Sequence, residues 1–303
     1  MGGHYGWGIR FLEQSPLVHA ARAGIRVVVT SHSVVALLGG YCGPQSSLWF
    51  KLGFLPTAWL GKMQALWHSS VEIAASQHDL RKLQRWYSPL RGKIRHIYHS
   101  RLRNEAAAGD DAQRETTILA VGHIAFRKGQ HVLAEAFARI SERHPAWRLC
   151  LVGPIAEDSC RDAILRSAAR TGISDRVELT GSRDEIWPLM QRAGVFVQPS
   201  LEEALGLALQ EALFAGCACI GTRVGGIPEL IEDGVNGLLT PANDVAGLAA
   251  ILDRMLSDAG LRRRLAGEAR RSIEQKRMLR DDMLAAHAAL YEQVLANASR
   301  EAG

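Results

Sequence analysis

Two carboxylates in one short segment carry the most suggestive chemistry of the chain. Glu203 is followed by Ala-Leu-Gly206, and Glu211 comes eight positions after Glu203. The apolar run Val195–Gln198 ahead of them ends in Pro199 and Ser200, so the segment reads as a buried strand, a loop and a helix opening at Gly206. The first N–H groups of a helix lack intrahelical partners and sit at the positive end of its dipole, so that end attracts anions such as phosphate. Glycine there lets an anion come close. At about 1.5 Å of rise per residue, Glu211 stands roughly 7 Å along the helix, which would let the two acids hold opposite ends of one elongated ligand. Taken alone, the pair is more simply read as two solvated helix-end acids.

The elements that must position these residues alternate plainly. Thr117–Val121, Trp147–Val152, Val177–Leu179, Val195–Gln198 and Ala218–Gly221 read as strands. Between them Gln130–Arg143, Cys160–Thr171, Ile186–Ala193 and Gly206–Ala215 read as helices, and Gly234–Leu239 as a hairpin-like turn. Short β-branched runs alternating with amphipathic helices predict a parallel sheet covered on both faces. Ligands of such sheets bind beyond the carboxyl ends of the strands. Upstream, Arg26–Thr30, Val71–Ser76 and Ile94–Tyr98 read as strands and Ile9–Arg22 as a helix. Cys217 and Cys219 flank Ala218 on an expected strand and so share a face, which makes them packing residues rather than metal ligands.

Composition narrows the class. A length of 303 residues accommodates two domains, and 47% hydrophobic with 22% charged residues excludes a disordered or collagen-like chain. The 5 cysteines form no Cys-x-x-Cys pair, which argues against a disulfide framework or zinc ribbon and for a reducing, cytoplasmic setting. Met1–Arg10 has no apolar core of a signal peptide, and Leu48–Leu60 is interrupted by Lys51, Gly53 and Pro56 and too short to span a bilayer. Charge is uneven: residues 1–105 hold 13 Lys and Arg against 4 Asp and Glu, so the first part is basic and the remainder mildly acidic. The polar stretch Asn104–Arg114 marks the expected boundary.

A longer signature surrounds the two acids. E203-A-L-G206 with Glu211, then T222-R-V-G-G-I-P-E229 and D233-G-V-N-G-L-L, resembles the nucleotide-sugar domain of retaining GT-B glycosyltransferases, specifically glycosyltransferase family 4 (group 1). The resemblance extends through V121-G-H-I-A-F-R-K-G129, L149-C-L-V-G153, G181-S-R-D-E-I and V195-F-V-Q-P-S200. It implies an α/β fold of GT-B architecture, two Rossmann-like domains facing a cleft. The corresponding division is an acceptor-side domain over residues 1–108, a donor-binding domain over 109–275, and a C-terminal helix over 276–303 returning toward the first.

By the same resemblance, Lys128 contacts the donor diphosphate, and Gly206 and Leu207 offer it backbone donors. Glu211 accepts from the ribose diol, and Glu203 grips donor-sugar hydroxyls near the reacting carbon. No metal and no further cofactor are implied, and the chain has no Asp-x-Asp pair. One position departs from the pattern: His123 stands where the family's usual arginine would be, and a histidine is only fractionally charged near neutral pH. Arg127, beside Lys128, is expected to share the second phosphate-binding role with His123. Gly225, Gly226 and Pro228 are expected to form a tight turn, and Glu229 reads equally as a helix-start acid or a ligand contact.

V-V-V-T30-S-H32-S resembles the acceptor-domain strand of these enzymes, which makes His32 a candidate cleft residue near the donor sugar. About 105 residues are few for an acceptor-side domain, so its first strands are expected to be missing. Residues 81–103 carry eight cations with Trp86 and Tyr87 and no acid, a composition that attracts anionic membrane surfaces. The expected activity is retaining, metal-independent transfer of a sugar from a nucleotide-diphospho-sugar to a glycan or lipid-linked acceptor, at the cytoplasmic membrane face. The alternatives are a catalytically silent nucleotide-sugar-binding remnant and a nucleotide-sugar 2-epimerase. Aromatic-basic patterning of a nucleic-acid module is not seen.

Overall fold

The computed structural model describes residues 16–31, 59–102, 108–109 and 114–302. The chain divides into two compact units, one of Met1–Tyr98 with Asp282–Gly303 and the other of His99–Asp281.

In the first unit, helix α1 (Pro16–Arg22) leads to strand β1 (Val28–Ser31). Helix α2 (residues 59–68), strand β2 (Val71–Ala74), helix α3 (Gln77–Trp86) and strand β3 (Ile94–His96) follow. The strands form a parallel sheet in the order β1-β2-β3. The sequence pattern carries β2 to Ser76, but the strand stops at Ala74 because Ser76 caps α3, its hydroxyl accepting from the Asp79 N–H at 3.1 Å. Alternation along β2 builds two cores. Ala74 packs with Leu66, Leu83, Tyr87, Leu90 and Ile94 on one face, whereas Val71 and Ile73 meet Ile97, Leu290 and Val294 on the other.

Glu72 interrupts the alternation, a fully buried carboxylate on β2. It forms an ion pair with Lys62 and accepts from the Ser31 hydroxyl, and Lys62 Nζ also donates to Ser31 Oγ at 2.8 Å. A buried charge is tolerated only with such partners. Burial and, secondarily, the charge of Glu72 hold the Tyr87 hydroxyl well above its usual range.

The second unit contains β4 (Glu115–Val121), α4 (Gln130–Ile140), β5 (Arg148–Val152), α5 (Asp158–Arg170) and β6 (Val177–Gly181). It continues with α6 (Trp187–Arg192), β7 (Ala193–Gln198), α7 (Leu207–Phe214), β8 (Cys219–Thr222), α8 (Ile227–Leu230) and β9 (Leu238–Thr240). Helices α9 (Val245–Ser257) and α10 (Ala259–Gln275) complete it, before α11 (Arg280–Ala302) places Leu290 and Val294 against the first sheet. The sheet is parallel throughout, in the order β6-β5-β4-β7-β8-β9. Strand β7 is buried along its whole length, as an inner strand covered on both faces must be.

Gly234–Leu239 is not a hairpin. The local turn exists, with the Gly234 N–H donating to the Gly237 carbonyl at 2.8 Å. The chain that follows pairs parallel with β8, Ile220 opposite Leu238, because α8 first carries it back to the start of the sheet. Cys219 opens β8 and Cys217 precedes it, both fully buried, and burial pushes the Cys217 thiol up to about 11. Among the described residues, no group of His, Cys, Asp and Glu has the arrangement of a metal site, and no helix is long and apolar enough to cross a membrane.

Candidate active site

The strand order reverses between β4 and β7, the first strand of each half of the sheet. A crevice opens at the carboxyl ends of two such neighbours because their connections leave in opposite directions. Gly122–Lys128 follow β4 and Pro199–Gly206 follow β7, so both segments singled out in the sequence meet at that point.

Glu203 is the centre of the constellation. Lys128 Nζ lies 2.7 Å from Glu203 Oε2, with the side chains 15% and 12% exposed. Gln198 Nε2 and Ser200 Oγ donate to the same oxygen at 3.1 Å each. Gln198 also donates to Ser200 Oγ at 2.8 Å, and Thr222 Oγ1 donates to the Ser200 carbonyl at 2.6 Å. Gln198, Ser200 and Thr222 are buried, so the carboxylate is oriented by a network with little freedom to rearrange. Three donors converge on Oε2.

Two glycines explain how the loop comes so close to its neighbours. Gly129 has φ 70°, and a Cβ there would run into the Pro199 carbonyl; Gly225 has φ 54°, and a Cβ there would run into the Glu203 carbonyl. Beside them the Leu201 N–H donates to the Arg127 carbonyl at 2.8 Å and the Gly226 N–H to the Ala204 carbonyl at 2.9 Å. The Glu203 loop is therefore gripped from the Lys128 side and from the Gly225-Gly226 side. Gly206 is the N-cap of α7 with no side-chain cap on the helix end, so the first-turn N–H groups, Leu207 among them, face the crevice chemistry with no side chain competing for them.

The remaining expected residues take distinct places. Glu211 lies on α7, half-buried; burial raises its carboxyl above the usual range, and the charge of Arg101 pulls it partly back. His123 and Arg127 are exposed on the loop that ends in Lys128. His32 falls outside the described residues. Sequence reasoning passed over Gln198, Thr222 and also Gln130, a buried side chain on α4 that donates to the Gly122 and His123 carbonyls at 3.3 and 2.9 Å. A polar residue closing an otherwise apolar strand, as Gln198 does, was the available signal.

The family model for "Glycosyl transferases group 1" matches residues 103–272. N-acetyl-alpha-D-glucosaminyl L-malate synthase of Bacillus anthracis is 37% identical over 153 residues, which is 50% of this chain and 39% of that protein. The chain thus spans about two fifths of the length of that curated relative. Sucrose-phosphate synthase from Thermosynechococcus elongatus has the same fold with a TM-score of 0.76 and 26% identity, over 90% of this chain and 69% of that one. Anabaena HepE, solved with UDP and glucose, superposes with a TM-score of 0.74 at 21% identity, over 92% and 73%. The fold is that of the GT-B glycosyltransferases.

Proposed function

The chain belongs to the group 1 glycosyl transferases, and on that footing we propose that it moves a sugar from a nucleotide-diphospho-sugar to a hydroxyl of a glycan or lipid-linked acceptor, with retention at the anomeric carbon and without a metal ion. The observation that carries this is the Lys128–Glu203 pair beside the uncapped start of α7. A diphosphate at the helix end would draw Lys128 toward itself, and the donor-sugar hydroxyls would take the place of Lys128 on Glu203. Lys128 and the N–H groups of Gly206 and Leu207 would then stabilise the charge that develops on the leaving phosphate. Glu211 would hold the ribose diol, and Arg127 with His123 would supply the remaining positive charge at the second phosphate.

In the transfer itself the bond from the anomeric carbon to the phosphate oxygen breaks while the acceptor oxygen bonds on the same face. The acceptor proton passes to the departing phosphate, so the reaction balances without a protein base. A cytoplasmic placement at the inner membrane face belongs to the same proposal.

The test is release of nucleoside diphosphate from a panel of nucleotide sugars, UDP-glucose first, with and without glycan acceptors. Acceptor-dependent release that survives a chelator and gives a product of unchanged anomeric configuration is expected. Glu203→Gln or Lys128→Ala should lower kcat/KM about 10²- to 10³-fold. Full turnover in the double variant His123→Ala, Arg127→Ala would remove those two residues from the phosphate site. Tight binding without release from any donor would favour a silent nucleotide-sugar binder, and neither binding nor release would overturn the proposal.

A further inference from the structure

The edge of the first sheet where its strands begin has a composition unlike the rest of the unit. In a parallel sheet all strands start on one edge, so the segments ahead of β1, β2 and β3 are brought together there. They place Ile25, which is 60% exposed, Trp67, which is 67% exposed, and the exposed Arg91 on that edge. Lys93 fastens the segments: its Nζ donates to the carbonyls of Trp67 and Ser69 at 2.8 Å each and of Leu66 at 3.3 Å. At the other end of α2 the Trp59 indole N–H donates to the Trp86 carbonyl at 3.3 Å, and its ring stacks on Tyr87 at 6.0 Å. Trp59 remains 40% exposed in that position, beside the exposed Arg85.

Among the described residues, charge on this edge has one sign. Between residues 59 and 98 the only acids are Glu72 and Asp79, and both are fully buried. The acids of α11 belong to the opposite face, where Leu290 and Val294 cover Val71 and Ile73. The cationic segment 81–103 also changes meaning in three dimensions. Lys93 is committed to backbone carbonyls, Tyr87 is buried, Arg101 belongs to the second unit near Glu211, and Arg103 lies outside the described residues. What remains outward is Arg81, Arg85 and Arg91 near exposed indoles and an isoleucine, whereas Arg95, also exposed, donates to the Gly92 and Ile94 carbonyls at 2.7 and 3.1 Å.

We infer that this edge is a docking surface for an anionic lipid bilayer, with Trp67 and Ile25 entering the headgroup boundary and Arg85 and Arg91 meeting lipid phosphates. Tryptophan is favoured at that depth because its ring is apolar and its N–H polar, and arginine pairs with phosphate through a fixed fork of donors. The inference rests on the membrane-face placement in the proposed function and adds the exposed Trp67 and Ile25 of the strand-start edge to the basic segment 81–103. The edge lies opposite the carboxyl ends of the strands, so docking leaves those ends open.

The experiment is flotation of the full chain with vesicles of phosphatidylglycerol and phosphatidylcholine in equal parts, against phosphatidylcholine alone. Binding only to the anionic vesicles is expected, with release at about 0.5 M salt, where the screening length is roughly 4 Å. The double variant Arg85→Gln, Arg91→Gln is expected to lose roughly 25-fold in partitioning, about fivefold for each cation. Trp67→Ser is expected to lose about tenfold at constant salt, with Trp67→Phe retaining most of the binding. Each variant is checked by its circular dichroism and by release of nucleoside diphosphate in the presence of a soluble acceptor. Unchanged release with lost flotation supports docking; lost flotation in the wild type with intact release overturns docking alone. Flotation that ignores Trp67 and the arginines, salt-sensitive binding to RNA without vesicle binding, or a concentration-dependent dimer abolished by Trp67→Ser would each overturn it as well.

Discussion

Glu203 and Glu211 carry the same charge in opposite surroundings, and the difference is testable. Glu203 is matched by Lys128 and two neutral donors, whereas Glu211 is raised by burial with only the charge of Arg101 to offset it. A carboxyl whose folded pKa is raised is easiest to bury when protonated. Stability on its account is complete below its unfolded value and falls as pH rises through the folded one. Glu211→Gln is therefore expected to raise the thermal midpoint by a few degrees at neutral pH and to do nothing below about pH 4, near the usual glutamate value. The same variant is expected to bind nucleoside diphosphate about tenfold more weakly, the loss of one charge-assisted hydrogen bond. Unfolding scans across pH and titration calorimetry check the two halves. Both acids were visible in the sequence by type and spacing. Their unlike environments were not, because Gln198 and Ser200 read as strand-end residues until the fold turned them onto one oxygen.

At the scale of elements, the glycine turns decide where the Glu203 loop lies. Gly225→Ala combines a left-handed backbone with a Cβ directed into the Glu203 carbonyl, and a cost of about 2–4 kcal/mol is expected, together with loss of turnover as the loop shifts. Gly267 offers the contrast, an exposed helical glycine on α10 with open space around its Cβ position. Gly267→Ala is expected to stabilise by about 0.5–1 kcal/mol. Denaturant titration of the two variants gives the comparison. Most elements of the second unit follow from local pattern alone, since β-branched runs such as Thr117–Val121 and amphipathic runs such as Gln130–Ile140 match their periods. The Gly234 segment was misread because its turn chemistry is local and real, while the partner of the strand that follows is chosen by α8 and the buried face of β8.

For the whole molecule, two compact units with separate cores are expected to unfold separately. Calorimetry should resolve two transitions, with nucleoside diphosphate raising only that of His99–Asp281, by about 2.7 kcal/mol of added stability at a hundredfold excess over Kd. Leu290→Ser, which opens the α11 packing on Val71 and Ile73, is expected to lower the other transition and leave the first in place. A single transition that moves with both changes would contradict this division. By itself the sequence determined the alternation of strand and helix, the glycine-rich turns and the order of the motif segments, because each depends on periods and residue types a few positions apart. Only the tertiary structure decided that β4 neighbours β7, which joins Lys128 to Glu203 across 75 positions of chain, and that Trp67 and Ile25 share an edge with Arg91. Strand neighbours are selected by burying faces contributed from distant segments, and no local pattern records that choice.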